Sequence, residues 1–240
     1  MERERILLSW SGGKDSALAL AALSHDPAIE VIGLLTSVTR GYDRISIHGV
    51  RRALLHAQAR ALGLPVYEIE LEPACSNADY ETAFHAGLDA ARARHPAVAA
   101  VAFGDLFLQD VRAYRERLLA ETGLRALFPL WGEPTSRLAE RCLTLGVAAR
   151  LVCVDTTQLS GEFAGRAYDR AFLASLPDTV DPCGERGEFH TFVSDGPGFR
   201  EAVSYEVGDL VRRDERFVYC DLVPVERSAM CDLPHTAPRN

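Results

Sequence analysis

No apolar run in the 240 residues approaches the ~18 that a membrane-spanning helix needs. The start, Met1-Glu2-Arg3-Glu4-Arg5, runs directly into a short apolar stretch without the apolar core of an export signal, and a cytoplasmic location is the expectation. The six cysteines (Cys75, Cys142, Cys153, Cys183, Cys220, Cys231) include no C-x-x-C pair and no zinc-ligand spacing, so they read as reduced thiols that mostly pack. Basic residues are outnumbered, 26 Lys and Arg against 34 Asp and Glu, and a net charge of −8 carries no overall nucleic-acid footprint. There is no internal repeat and no low-complexity tract. What is present is a chain 48% hydrophobic, enough for one large core or two modest ones.

Along the chain, residues 5–10 form a short apolar run, two glycines follow, and an Ala/Leu-rich segment opens at Asp15. That order predicts strand, tight loop and helix. Further apolar runs at 30–35, 66–71, 98–103 and 125–128 predict strands, and 50–62, a long segment capped at Ser76 or Asn77, and 109–122 predict helices between them. Nearly continuous apolar strands alternating with helices indicate an α/β fold with a parallel sheet covered on both faces. This places a first domain at residues 1–132 and a second at 133–240. In the second, 135–145 and 162–176 read as helices and 147–154 as a strand. Late strands at 189–193, 202–210 and 217–223, with no helices between them, suggest a smaller antiparallel α+β unit.

Chemistry concentrates in Ser11-Gly12-Gly13-Lys14-Asp15-Ser16, between the first strand and the first helix. The glycines permit torsions and close approaches that a Cβ forbids, and a helix N-terminus with its exposed amides is an anion site. Lys14 adds a point charge, and Ser11 and Ser16 add hydroxyls. Asp15 beside a triphosphate makes sense if it orients Lys14 or helps to hold Mg²⁺. The pattern is not the Walker A loop, which needs G-x-x-x-x-G-K-[ST]. The loop resembles the PP-loop of the ATP pyrophosphatases, which implies ATP binding and cleavage between the α- and β-phosphates.

A more specific resemblance covers roughly residues 5–223. Its anchors are the loop, His48, the stretch from Gly104 through an arginine-rich helix, Pro129-Leu130-Trp131, Gly184-Glu185-Arg186-Gly187-Glu188-Phe189, and Asp195 followed by Pro197 and Phe199. Together these resemble the diphthine–ammonia ligase family. The resemblance implies a HUP-type sheet of strand order 3-2-1-4-5, with Asp105 facing the loop at the topological switch point. It also implies a reaction in which a carboxylate is activated as its adenylate and ammonia displaces AMP. ATP, Mg²⁺, ammonia and a small-molecule or protein-borne carboxylate acceptor are the implied partners, with no membrane or nucleic acid among them. Whether the chain forms a homo-oligomer is left open. Archaeal and eukaryotic members tend to have glycine where Arg186 stands, an acid where His190 stands and alanine at Asp105. Residues 181–191 instead resemble a bacterial-type branch. Bacteria do not make diphthamide, so the ATP chemistry is better supported than the diphthine substrate.

The candidate site divides accordingly. Ser11, Gly12, Gly13, Lys14, Asp15, Ser16 and Gly104 are expected at ATP, with Asp15 and Asp105 as a Mg²⁺ or pyrophosphate pair unless Asp105 caps the next helix. Lys14, Asp15, Asp105 and Glu188 are the expected catalytic set. Arg112 and Arg115 share a helix face, Arg117 does not, and one of the three would hold the leaving pyrophosphate. His48, Glu185, Glu188 and His190 are expected at the acceptor, apart from the nucleotide, with Glu188 and His190 paired as a base for ammonium. His48 is equally compatible with a helix contact, the glutamates with a structured turn, and Cys183 with packing. Two rival readings are a non-catalytic adenine-nucleotide sensor of HUP type and a PP-loop sulfur-transfer enzyme, the latter disfavoured by the cysteine spacing.

Overall fold

The computed structural model describes residues 3–225; Met1, Glu2 and Cys231 lie outside the described residues. The first half runs β1 (Glu4–Ser9), α1 (Lys14–Ser24), β2 (Ile29–Thr39), β3 (Arg44–Ile45), α2 (Arg52–Leu62), β4 (Val66–Leu71), α3 (Asn77–Arg94), β5 (Val98–Ala102), α4 (Gln109–Leu119) and β6 (Arg125–Leu127). Five of its strands are parallel and lie side by side as β4-β2-β1-β5-β6. Counted among the parallel strands alone, that is the order 3-2-1-4-5. The short β3 pairs antiparallel with Val38 and Thr39 at the far end of β2.

Alternation along the strands explains why both faces are covered. Ile6, Leu8 and Trp10 point to one side, where Ala17, Leu18, Leu54 and Leu55 of α1 and α2 meet them. Leu7 points to the other, against Phe84 and Leu88 of α3 and Leu118 and Leu119 of α4. Each such side chain, fully buried, contributes about 1.5–3 kcal/mol relative to exposure. Local signals set the helix limits. Gly63, at φ 68°, closes α2 in the left-handed region. Ser76 and Asp79 form a capping box at the start of α3.

The second half contains α5 (Thr135–Thr144), β7 (Ala148–Asp155), a 3₁₀ turn (Gly161–Phe163), α6 (Arg170–Ala174), β8 (Phe189–Asp195), β9 (Tyr205–Arg213) and β10 (Phe217–Pro224). Its four strands form an antiparallel sheet in the order β8-β7-β10-β9. The helix expected over 162–176 is corrected here, because the span holds only the end of the 3₁₀ turn and the short α6. Gly165 takes φ 81°, and the amides of Gly165 and Tyr168 donate to the Leu151 and Ala149 carbonyls of β7. The backbone is drawn into the sheet until Asp169 caps α6 by accepting from the Phe172 amide. The two halves share one apolar cluster that runs from Leu18 and Leu54 through Leu138 of α5 to Leu151, Phe189 and Phe192. No helix among the described residues is long and apolar enough to cross a membrane.

Candidate functional site

The loop after β1 is fixed from behind by a side chain that the sequence reading did not single out. Gln58, fully buried on α2, donates to the carbonyls of Gly12 (3.0 Å) and Val193 (2.6 Å) and accepts from Trp10 Nε1 (2.9 Å). The Val193 amide also donates to the Gly12 carbonyl at 2.8 Å, so β8 is stitched to the loop. Gly12 takes φ 79°, and a Cβ on Gly13 would lie 3.0 Å from the Thr191 carbonyl oxygen and 3.1 Å from the His48 ring. Both glycines are therefore required by geometry. One signal for Gln58 exists: it lies in the apolar stripe Leu54, Leu55, Gln58, Ala59, Leu62, where a polar residue needs a buried partner.

At the start of α1, the Lys14 amide donates to Thr191 Oγ1 at 3.0 Å, and Ser16 Oγ donates to the Gly13 carbonyl at 2.8 Å. Ser11 Oγ accepts from the Gly13 amide and lies 3.4 Å from Ser16 Oγ. The Lys14 side chain departs from expectation. It is buried, and its ammonium binds Asp15 Oδ2 (2.9 Å) and the Cys183 carbonyl, near the rings of Tyr168 and Phe189. Burial, the largest single influence, lowers the lysine's proton affinity, but the charge and hydrogen bond of Asp15 and the nearby thiols together raise it above the ordinary value. Lys14 is thus a charge tied into the second half of the chain rather than a free arm.

Gly104 carries β5 close over this helix start: a Cβ there would lie 3.1 Å from the Asp15 backbone. Asp105 follows, 3.6 Å from Arg115 Nε. It does not cap the next helix, since α4 begins after Leu108 with no side-chain cap. Arg115 also donates to Tyr80 Oη at 3.0 Å. Arg112 stacks instead over Phe128 and Trp131, and Arg117 over Tyr114, so of the three arginines Arg115 alone lines the cavity at the loop.

That cavity, about 240 Å³, is also lined by His48, Glu185 and His190. The residues expected at the acceptor are not apart from those expected at the nucleotide: His48, Glu185 and His190 line the same cavity as Ser11, Gly13, Lys14, Asp15 and Ser16. Three buried polar atoms on its wall, Asp15 Oδ1, Asp105 Oδ2 and Arg115 Nε, have no hydrogen-bond partner. Ser9, Ser11, His48 and Arg115 continue into a larger space of about 870 Å³ over the carboxyl ends of β1, β2 and β4. A separate space of about 690 Å³, between the 39–49 loop and the β9–β10 hairpin, contains no phosphate-loop residue.

The expected Glu188–His190 pair is also corrected. Glu188 is buried, its two oxygens accepting from the amides of Asp181 and Arg186 at 2.9 Å each. Asp181 in turn accepts from the Cys183 amide and the Thr135 hydroxyl. These two carboxylates build the turn that carries Glu185, which is the turn alternative raised for Glu188. His190 stacks on His48, ring centroids 4.6 Å apart, and His48 Nδ1 lies 3.2 Å from the Thr191 carbonyl. Burial lowers both imidazoles, His48 to about 4, and keeps them neutral near pH 7. Glu185 Oε1 accepts from the amides of Leu106 (2.8 Å) and Phe107 (3.3 Å). Cys183 packs: its thiol is buried, donates to the Thr135 carbonyl, and is raised far above the ordinary range by burial.

Residues 4–126 match the family model of the diphthamide synthase N-terminal domain, and residues 134–220 that of the diphthamide synthase C-terminal domain. The chain is also similar to the diphthine–ammonia ligase of Schizosaccharomyces pombe, 25% identical over 219 residues. That alignment covers 83% of this chain and 36% of the relative, so the chain spans about a third of the relative's length.

Proposed function

Because the chain belongs to the diphthamide synthase family, we propose that it is an ATP-dependent ligase that splits ATP into AMP and pyrophosphate and joins ammonia to an activated carboxylate. One observation carries this reading. A loop built for phosphate faces Asp105 and Arg115 across the switch point; Oδ1 of its own Asp15 is buried without a hydrogen bond, and Asp105 Oδ2 and Arg115 Nε meet only at 3.6 Å, also without one. Such atoms are costly unless a ligand engages them.

In this reading residues 1–132 hold ATP and residues 133–240 shape the acceptor side. The triphosphate meets Ser11, Ser16 and the first-turn amides of α1, while adenosine occupies the larger space over β1, β2 and β4. Lys14, pinned by Asp15 and the Cys183 carbonyl, supplies fixed positive charge, and Arg115 suits the departing pyrophosphate. Asp15 Oδ1 and Asp105 Oδ2 are hard oxygen ligands of the kind Mg²⁺ takes alongside phosphate oxygens and water, and the ion would neutralise charge on the leaving group. His48, Glu185 and His190 border the same cavity and face the incoming acceptor and nitrogen donor. Glu188 supports them from behind by holding the turn.

The sulfur-transfer rival loses ground because Cys183 is a buried thiol held protonated, unsuited to nucleophilic attack. The sensor rival differs in one observable, turnover. The test supplies the chain with ATP, magnesium chloride, ammonium chloride and elongation factor 2 bearing diphthine, and follows AMP and pyrophosphate. A metabolite-fraction screen for the same products extends it to other carboxylates. ADP and phosphate as the sole products would refute the α-phosphate chemistry, and ATP binding without acceptor-dependent pyrophosphate release would favour the sensor.

A further inference from the structure

One carboxylate on the wall of this cavity faces the incoming nitrogen donor without a chemical step of its own. Glu185 sits on the turn between Asp181 and Phe189, and Oε1 is tied to two amides just beyond the end of β5. No hydrogen bond among the described residues engages Oε2, and the side chain borders the cavity shared with Lys14 and Asp15. One oxygen is therefore anchored to the first sheet and the other is left for a ligand.

We propose that Glu185 receives the incoming ammonium ion and takes a proton from it, so that ammonia attacks the acyl-adenylate. This rests on the ligase reading above. Ammonium gives one proton to Glu185 Oε2, and the freed nitrogen lone pair forms the C–N bond. The bond between the acyl carbon and the phosphate oxygen then breaks, and AMP leaves with its electron pair. The second proton lost from nitrogen goes to solvent, as does the proton on Glu185 when the amide departs.

The other groups around the cavity have other tasks. Asp15 holds Lys14 through Oδ2 and Asp105 faces Arg115, both on the side assigned above to Mg²⁺ and pyrophosphate. His48 and His190 stack on each other and are weak bases, His48 at about 4. Both oxygens of Glu188 are consumed by backbone amides. Among the described residues Glu185 keeps Oε2 free of hydrogen bonds on the cavity wall, and burial is the chief cause that raises its proton affinity to about 7, while the two amides oppose the rise. A base poised near the working pH is what proton removal from ammonium requires.

Glu185→Gln keeps an oxygen for the two amides and removes the proton acceptor. The assay uses the full chain with ATP and diphthine-bearing elongation factor 2. It measures ATP–pyrophosphate exchange, AMP release with ammonium chloride, and AMP release with hydroxylamine, which is unprotonated at neutral pH. The expected result is exchange close to wild type, an ammonia-dependent rate lower by about 100-fold, and a hydroxylamine-dependent rate largely kept. Equal loss with both nitrogen sources, or no loss with either, overturns the role of Glu185 while leaving the ligase reading intact. Absence of exchange in the wild-type chain, with this factor and with every carboxylate of the metabolite screen, overturns the ligase reading and this role with it. Carbon-13 NMR of the wild-type Glu185 carboxyl gives an independent measure: titration near neutrality is expected, and titration in the ordinary glutamate range overturns the role.

Discussion

His48, on the segment between β3 and α2, and His190, on β8, hold their imidazole rings 4.6 Å apart and tilted by 36° across the seam between the two sheets. Each is neutral in the folded protein because burial outweighs the hydrogen bond that His48 makes to Thr191 and because each lies near Lys14. In the unfolded chain an imidazole titrates at about 6.5. Below that pH the unfolded state binds more protons, so these two groups contribute stability that is present above about 6.5 and is lost as pH falls toward about 4. Glu185 acts with the opposite sign, since its raised pKa favours the folded state at lower pH. The difference between wild type and a His48→Asn/His190→Asn double variant isolates the imidazoles. Urea unfolding at pH 7 and pH 5 should show a larger loss on acidification in the wild type. Identical losses would mean that the rings are solvated.

Lys14→Met should cost both activity and stability. The variant leaves the Cys183 carbonyl without its ammonium and Asp15 without its counter-charge, a loss of about 1–3 kcal/mol. Ser16→Ala removes one hydroxyl bond to the Gly13 carbonyl and should cost about 1 kcal/mol while still weakening ATP binding strongly. Thermal unfolding checks the order, and a Lys14→Met melting temperature equal to wild type would return that side chain to solvent.

Gln58→Leu keeps approximate volume and removes three hydrogen bonds at once. Trp10 Nε1 and the Val193 carbonyl lose a buried partner, and about 2 kcal/mol of stability should go with them. Because the loop loses its rear support, KM for ATP should rise although Gln58 does not line the cavity. Unchanged ATP affinity in a folded variant would confine Gln58 to packing.

Glu188→Gln replaces one acceptor oxygen with an amide group that meets the donor N–H of Asp181 or Arg186. A lower melting temperature is expected, by the equivalent of about 1–3 kcal/mol, with kcat nearly kept where the variant is fully folded. A collapse of kcat at unchanged stability would restore Glu188 to the chemistry.

The setting of the loop Ser11–Ser16 was legible because its two glycines, lysine and hydroxyls are consecutive residues between an apolar strand and an Ala/Leu-rich helix. The strand order followed from the family resemblance, and β4 matches the apolar run at 66–71 residue for residue. Of the cluster around Glu185, the residues were legible and their contacts were not. A parity argument joined Glu188 to His190, yet the strand begins only at Phe189, and the turn before it points Glu188 inward. Nothing local in the sequence reveals that Lys14 ends on the carbonyl of Cys183, far along the chain, or that His190 finds His48. The helix expected over 162–176 failed for a related reason: its Ala and Leu content favoured a helix, but Gly165 and pairing to β7 prevailed.

The apolar cluster common to both halves has a consequence for synthesis on the ribosome. When translation has reached β6, the faces of α1 and α2 that will meet α5 and β8 are still uncovered, and the Lys14 amide has no Thr191 to meet. The nascent chain completes the loop after β1 only once β8 has emerged. Until then its N-terminal half is the segment most in need of chaperone protection.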